Sequence, residues 1–329
     1  MSPQGAVCIL GAGSLGTSFA TGLWRSGRRF SLWTIEDDVA DSLKSYQENV
    51  KYLPGVKIPR DVRVTTDLEQ AMHEAGIVIL TVPSHVIREV SQKIAPLIAD
   101  DAILVSAAKG LERGSLLRMS QVIAEVMPDA VKERIVVLSG PSLAGEVANM
   151  VPTGVDAAST DPEMARFVKA ALQMKKFRMK VRRDVPGVEA GGTFKNLYAI
   201  GAGICDGLSL GNNTKASLMT RALSEMILFA RKLGGKASTL HGLSGFGDLV
   251  VTCTSARSRN RTLGEALGKG QHVSDISRGM ASVTEGVDAA HCAHELAQRE
   301  GLRVPLADTI LQILNGEAKP DSIIKVALP

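Results

Sequence analysis

The sequence predicts an α/β chain in two parts, a doubly wound, mainly parallel sheet over residues 1–185 and an all-helical domain over residues 186–329. Three observations predict it: short apolar runs end in polar or glycine-rich loops through the first half, a glycine turn opens the first helix, and strand patterns nearly vanish beyond Gly187. A chain of 329 residues is long enough for two cores, since one domain usually holds about 100 to 200 residues.

The first run, Ala6 to Leu10, is apolar throughout, as a strand buried on both faces would be. Gly11, Gly13 and Gly16 then complete G-x-G-x-x-G at the start of a helix. Gly11 permits the tight turn, Gly13 lets the backbone approach a pyrophosphate, and Gly16 lets the helix pack closely on the strand. The free N–H groups of the helix N-terminus would meet the pyrophosphate charge. Strand, turn and helix together make a Rossmann-like dinucleotide-binding start.

Phe30 to Trp33 reads as the second strand, and Glu36 follows about twenty residues past the glycines, where an acid accepts from the ribose 2′-hydroxyl of the cofactor. No basic residue occurs at 34–38, so the expected cofactor is NAD or NADP with NAD favoured. Glu36 and Asp37 equally fit an ordinary acidic helix start.

Ile77 to Val82 is the clearest buried strand and ends at Pro83-Ser84; Ala102 to Ser106 ends in Ala107-Ala108-Lys109-Gly110, and Ile135 to Leu138 in Ser139-Gly140-Pro141-Ser142. Ligands bind at the carboxyl edge of such sheets, so these loops are candidate site segments. Lys109 at that edge either reaches a ligand or carries its head out to solvent. Lys175 to Arg183 holds six basic residues in nine, with Phe177, Met179 and Val181 alternating between them. Period two and lysine content predict a guarded edge strand. The stretch lacks an aromatic stacking platform, which argues against nucleic acid.

Asp184-Val185-Pro186-Gly187 breaks the strand pattern and marks the expected domain boundary. Beyond it Leu218, Leu223, Met226, Ile227, Ala230 and Leu233 follow helical spacing, with Gly234-Gly235 as the stop. The cleft between the two domains is the default site.

Three features of the helical half carry chemistry. Lys195 and Asn196 interrupt an apolar, glycine-rich helix, where a lysine either buries its stem and keeps its head in water or is desolvated at a cleft, so that its pKa is lowered and it can exchange a proton near neutral pH. Asp248 follows Gly245 and Gly247 in what reads as a loop, either holding an ammonium or capping a helix. Thr254 to Arg261 concentrates hydroxyls, an amide and three arginines, which suits a phosphate dianion or a basic surface turn.

A net charge of +4 suits anionic ligands and is too mild to imply nucleic acid. The four cysteines lie far apart in reduced-thiol fashion, and His291 and His294 lack a third ligand for a metal. No basic leader precedes the first apolar stretch, and no run approaches the roughly 18 apolar residues of a membrane span. A cytoplasmic protein is expected, with neither a membrane nor nucleic acid as partner.

At this point the chain resembles NAD(P)-dependent glycerol-3-phosphate dehydrogenase of the bacterial type, from Val7 almost to the C-terminus. The matching pieces are GAGSLGTSFA at 11, SAAKGLE at 106, LSGPSLAGE at 138, DVPGVEAGGTFKNLYAIGAGICDG at 184, GFGDLVVTCTSARSRNR at 245 and SVTEG at 282. The resemblance implies reversible reduction of dihydroxyacetone phosphate to sn-glycerol 3-phosphate for phospholipid synthesis, and usually a homodimer. It implies Lys195 as the proton-exchanging lysine, Asp248 as the acid beside it, and Lys109 as a second lysine on the substrate oxygens. Gly140, Ser142, Ser258, Arg259 and Asn260 match the substrate-binding positions. Ser14, Leu15, Trp33, Lys109, Ala144, Arg259, Val283 and Glu285 match the dinucleotide contacts. Many relatives carry a basic or histidine residue after the tryptophan, whereas Thr34-Ile35 stand here.

The enzyme alternative is another β-hydroxyacid or sugar-acid dehydrogenase on the same plan, which would prefer a carboxylate substrate. The alternative outside enzymes is a dinucleotide-sensing module, against which Lys195 and Asp248 together argue.

Overall fold

The computed structural model describes residues 6–59, 62–272 and 285–328. Within them one compact unit takes in the chain up to Ala108, Met119–Leu138 and Ser142–Val185. The other takes in Lys109–Arg118, Ser139–Pro141 and the chain from Pro186 onward.

The first unit is built on ten strands: β1 (Ala6–Leu10), β2 (Phe30–Trp33), β3 (Glu48–Asn49), β4 (Leu53–Lys57), β5 (Arg63–Thr65), β6 (Ala75–Leu80), β7 (Ile103–Ser106), β8 (Ile135–Ser139), β9 (Thr153–Ala158) and β10 (Phe177–Arg182). Eight of them form one sheet in the order β10-β9-β8-β7-β6-β1-β2-β5. The ladders β1–β2, β1–β6, β2–β5, β6–β7, β7–β8 and β9–β10 are all parallel. Strand order reverses at β1, which places a topological switch point between β1 and β6, where such sheets take their ligands. Ile9, Leu10, Ile79 and Leu80 are fully buried there, each contributing about 1.5–3 kcal/mol of apolar burial.

Helix α1 (Ser14–Arg25) follows the turn after β1. Gly11 sits at φ 110°, which favours glycine, and an ideal Cβ on Gly16 would lie 1.9 Å from the Gly11 carbonyl oxygen. Helix and turn therefore approach as closely as the glycine spacing requires. Thr81, just past β6, donates its hydroxyl to the Gly11 carbonyl at 2.8 Å and ties the turn to the next strand.

The strand expected at 77–82 lies two residues earlier, and β9 was not foreseen because Thr-Gly-Val-Asp-Ala-Ala lacks the bulky β-branched run that marks a strand. Its Asp156 is buried and accepts from Arg182 of β10 at 3.0 Å. β10 itself occupies the end of the sheet, as its basic alternation predicts. Helix α2 (Pro162–Ala171) packs on β10.

Among the described residues no strand follows Arg182. The second unit contains α3 (Val185–Gly207), α4 (Gly211–Lys232), α5 (Asp248–Thr254), α6 (Arg259–Gly268), α7 (Glu285–Glu300) and α8 (Pro305–Leu314). Its core gathers Phe194, Leu197, Ile200, Leu218, Phe229 and Ile310. The rings of Phe194 and Phe229 stack at 4.3 Å. Leu111 and Leu116 are buried in this same core, which explains why Lys109–Arg118 folds with the helices and away from its own strand. Arg118 then pairs with Glu189 of α3 at 2.5 Å and fixes that segment to the helix bearing Lys195.

Candidate active site

The helical unit brings three charged side chains together. Lys195, on α3, is 7% exposed and Asp248 is 1% exposed. Lys195 Nζ donates to Asp248 Oδ1 at 2.5 Å, and Lys109 Nζ donates to Asp248 Oδ2 at 2.8 Å. One carboxylate thus holds two ammonium groups, one on each oxygen.

Backbone approach makes this possible. An ideal Cβ on Gly191 would lie 2.2 Å from the Ser244 carbonyl oxygen, and one on Gly192 would lie 2.6 Å from Ser139 Oγ and 3.4 Å from Lys109 Cγ. Without those β-carbons α3 closes on both neighbours, and Lys195 follows one turn later on the same face as Gly191. The expected loop before Asp248 is instead a π-helical turn, Leu243–Gly247, running directly into α5. Such wide turns displace the following helix and occur at functional sites. Asp248 is the first residue of α5 and caps nothing with its side chain, so the ammonium-holding role is the one observed.

Thr252, one turn along α5, was not singled out by the sequence. Its hydroxyl donates to the Asp248 carbonyl at 2.6 Å and accepts from Lys195 at 3.0 Å. Two of the three Lys195 donors are thereby fixed, leaving one for a ligand oxygen. Its i+4 spacing from Asp248 is the only signal the sequence offers.

Burial lowers the Lys195 pKa to about 8, assisted by the nearby Lys109 charge and opposed by Asp248. Burial acts in the same direction on Lys109, but the Asp248 carboxylate outweighs it and holds that ammonium above its ordinary value. With three charges summing to +1, the first proton to leave is that of Lys195. A group poised near neutrality can donate in one direction and accept in the other.

Beside the cluster, Asn196 donates to Glu285 at 3.1 Å. Burial raises the Glu285 pKa, and the charges of Lys109, Lys195 and Arg259 counter it. Asn260 accepts from the Gly286 amide at 3.0 Å, leaving its NH₂ group to donate. Ser258 caps α6 by accepting from the Arg261 amide at 3.2 Å. Arg261 itself is bound to Asp206 at 2.6 Å and to Glu265 at 3.2 Å, so it braces the fold, whereas Arg259 is exposed on the first turn of α6. Gly140, at φ 146°, follows Ser139, whose buried hydroxyl has no hydrogen-bond partner among the described residues. Val283 lies outside the described residues. His294, considered above for metal, is engaged on one ring nitrogen by Asp308 and on the other by Gln298.

In the sheet unit the glycine turn fits a dinucleotide. A Cβ on Gly13 would meet nothing within 4 Å, and no side chain caps the first turn of α1. Open space therefore lies over uncapped amides, which suits a pyrophosphate. The β3–β4 hairpin, unforeseen in the sequence, docks on this turn. Asn49 donates to the Ala12 carbonyl at 2.6 Å, and Ser14 donates to the Tyr52 carbonyl at 2.6 Å. The hairpin also delivers Lys51 onto Glu36, while Tyr52 donates to Glu36 at 2.8 Å and Lys51 reaches Asp38 at 3.1 Å. A cation absent from 34–38 in sequence is thus present in space. Trp33 is buried and donates its indole N–H to the Thr66 carbonyl at 3.0 Å. Leu15 lies on the first turn of α1, Ser142 is in the sheet unit, and Ala144 begins a short helix packed on α1.

A doubly wound sheet with this glycine turn, joined in one chain to a helical unit that poises a lysine near neutrality, defines a nicotinamide-dependent oxidoreductase. Residues 6–165 match the family described as NAD-dependent glycerol-3-phosphate dehydrogenase N-terminus, and residues 184–325 match its C-terminus. A glycerol-3-phosphate dehydrogenase [NAD(P)+] of Pelotomaculum thermopropionicum is 43% identical over 311 residues, covering 94% of this chain and 89% of the relative. One from Clostridium perfringens is 40% identical over 322 residues, covering 98% and 96%. The crystal structure of glycerol-3-phosphate dehydrogenase from Coxiella burnetii superposes with a TM-score of 0.92 at 36% identity, covering 98% of each chain. The chain belongs to the NAD-dependent glycerol-3-phosphate dehydrogenase family.

Proposed function

We propose that the protein reversibly reduces dihydroxyacetone phosphate to sn-glycerol 3-phosphate with NADH or NADPH, supplying glycerophospholipid synthesis in the cytoplasm as a homodimer. The observation that carries this reading is the buried contact of Lys195 with Asp248, shared with Lys109.

When bound, the nicotinamide supplies a hydride to substrate C2. Lys195, as ammonium, gives its proton to the oxygen on C2 as negative charge develops there. Thr252 and Asp248 hold its Nζ so that the remaining N–H points to that oxygen. Lys109 keeps a positive charge and stabilises the same oxygen, while Asp248 holds the two cations together. Arg259, Ser258 and Asn260, with Gly140 and Ser142, grip the substrate phosphate and so hold C2 in place. Gly11, Gly13, Ser14, Leu15 and Gly16 bind the cofactor pyrophosphate, with Trp33, Ala144, Val283 and Glu285 completing its contacts.

Following consumption of NADH and NADPH with dihydroxyacetone phosphate tests the reading. Glycerol 3-phosphate should serve as electron donor in the reverse direction and 6-phosphogluconate should not. Turnover of 6-phosphogluconate alone would assign the chain to sugar-acid chemistry instead.

A further inference from the structure

The positive charge of this protein is local. Residues 24–29 carry three arginines and residues 164–183 carry eight lysines and arginines, with no Asp or Glu in either stretch. Removing these eleven cations from a net charge of +4 leaves the rest of the chain at −7.

The fold brings the two stretches together within the sheet unit. A hollow of about 490 Å³ is lined by Arg25, Ser26, Gly27, Arg28, Gln173 and Lys175. A second, of about 340 Å³, shares Gln173 and adds Arg166, Lys169 and Arg178. Lys180 continues the row along the exposed face of β10. Arg25 is spent on the Ala148 carbonyl, Arg166 on Glu163 and Arg182 on Asp156. Arg28, Lys169, Lys175, Lys176, Arg178 and Lys180 pair with no carboxylate among the described residues. Trp24 belongs to the same turn, its carbonyl accepting from the Gly27 amide at 2.8 Å, and it is 39% exposed.

Charges on the edge strand guard a sheet edge, whereas these cations extend beyond β10 onto a helix and a turn. Like charges exclude a second copy of the same edge as its partner. Unpaired cations spread over a strand, a helix and a turn, with a partly exposed tryptophan in the segment that carries Arg25 and Arg28, match an interface of anionic headgroups. There each Lys or Arg near the surface strengthens attraction, and tryptophan settles at headgroup level. We propose that this face docks the protein reversibly on anionic phospholipid bilayers. The expectation of no membrane partner rested on the lack of a spanning stretch, and among the described residues no helix is long and apolar enough to cross a membrane. Docking from the surface needs neither. The part of the patch around Arg25, Arg28 and Lys175 lies at the opposite end of the 12-residue helix α1 from the glycine turn, about 18 Å away at 1.5 Å per residue.

Flotation of the full chain with vesicles of phosphatidylglycerol and phosphatidylcholine in equal parts, and with phosphatidylcholine alone, tests this. The proposal expects flotation with the anionic vesicles at low salt only, and an affinity falling about fivefold for each cation removed in Lys175→Gln and Arg178→Gln. Trp24 and the buried Trp33 are the only two tryptophans, so vesicle binding should blue-shift the emission and Trp24→Phe should abolish that shift, without any charge variant being needed. Absence of flotation overturns the proposal, as does flotation indifferent to the two substitutions. Tighter binding of a single-stranded oligonucleotide, with the same sensitivity, would give the surface to nucleic acid.

Discussion

Lys109 and Lys195 share the Asp248 carboxylate, one on each oxygen at 2.8 and 2.5 Å, in a unit where all three side chains are buried or nearly so. Two cations on one anion make one of the ammonium groups the easier to deprotonate. It is Lys195, which burial and its neighbour both push down to about 8.

A pH dependence follows with a definite sign. On the proposed mechanism reduction of dihydroxyacetone phosphate needs Lys195 charged, so its kcat/KM should be level below about pH 8 and fall above it, while glycerol 3-phosphate oxidation should rise through the same region. Asp248 raises the Lys195 pKa and Lys109 lowers it. Asp248→Asn should therefore move the limb to lower pH and Lys109→Met to higher pH, on top of any loss of rate. Equal displacement in one direction by both variants would remove the shared-carboxylate explanation.

Cofactor choice should turn on Glu36. In the folded protein Lys51 and Tyr52 hold that carboxylate, which on the proposed reading accepts from a ribose 2′-hydroxyl and repels a 2′-phosphate. Glu36→Gln removes the repulsion and loosens Lys51. The ratio of kcat/KM for NADPH over NADH should rise about tenfold or more, the scale of one charge-assisted hydrogen bond. An unchanged ratio would place the ribose elsewhere.

The two glycines of the turn should behave oppositely. A Cβ at Gly13 enters open space, so Gly13→Ala should keep its Tm and raise the KM for cofactor. A Cβ at Gly16 would lie 1.9 Å from the Gly11 carbonyl oxygen, so Gly16→Ala should lose about 1–3 kcal/mol of stability, read by denaturant unfolding.

Arg259 is exposed while its neighbour Arg261 is bound to Asp206 and Glu265. Arg259→Ala should raise the substrate KM at least tenfold with little change in Tm, the loss of a charged phosphate contact. Arg261→Ala should chiefly lower Tm. Kinetics indifferent to Arg259 would sink its part in phosphate binding.

Much of the fold was legible because its signals are local. The glycine turn, the apolar runs of β1, β6 and β7, and the helical spacing of α4 each depend on residues close in sequence. Features set by distant packing were not. The β3–β4 hairpin contains Pro54 and Gly55 and shows no alternation, so neither Asn49 nor Lys51 announced its place beside the glycine turn and Glu36. Gly245 and Gly247 read as a loop, yet Gly245 is a close contact inside a wide helical turn, where a Cβ would meet the Leu240 carbonyl oxygen at 2.1 Å. Lys109 was marked by position at a strand end, but its attachment to the helical unit depends on the burial of Leu111 and Leu116 in that core. Thr252 is one hydroxyl among several in a threonine- and serine-rich stretch, and only geometry distinguishes it.

The central claim is that Lys195 moves the proton. The most direct measurement is the turnover of Lys195→Ala with saturating dihydroxyacetone phosphate and NADH, alongside NADH affinity by fluorescence. The predicted result is a loss of about 10²-fold or more in turnover with cofactor affinity nearly intact. Turnover close to that of the unsubstituted protein would contradict the account.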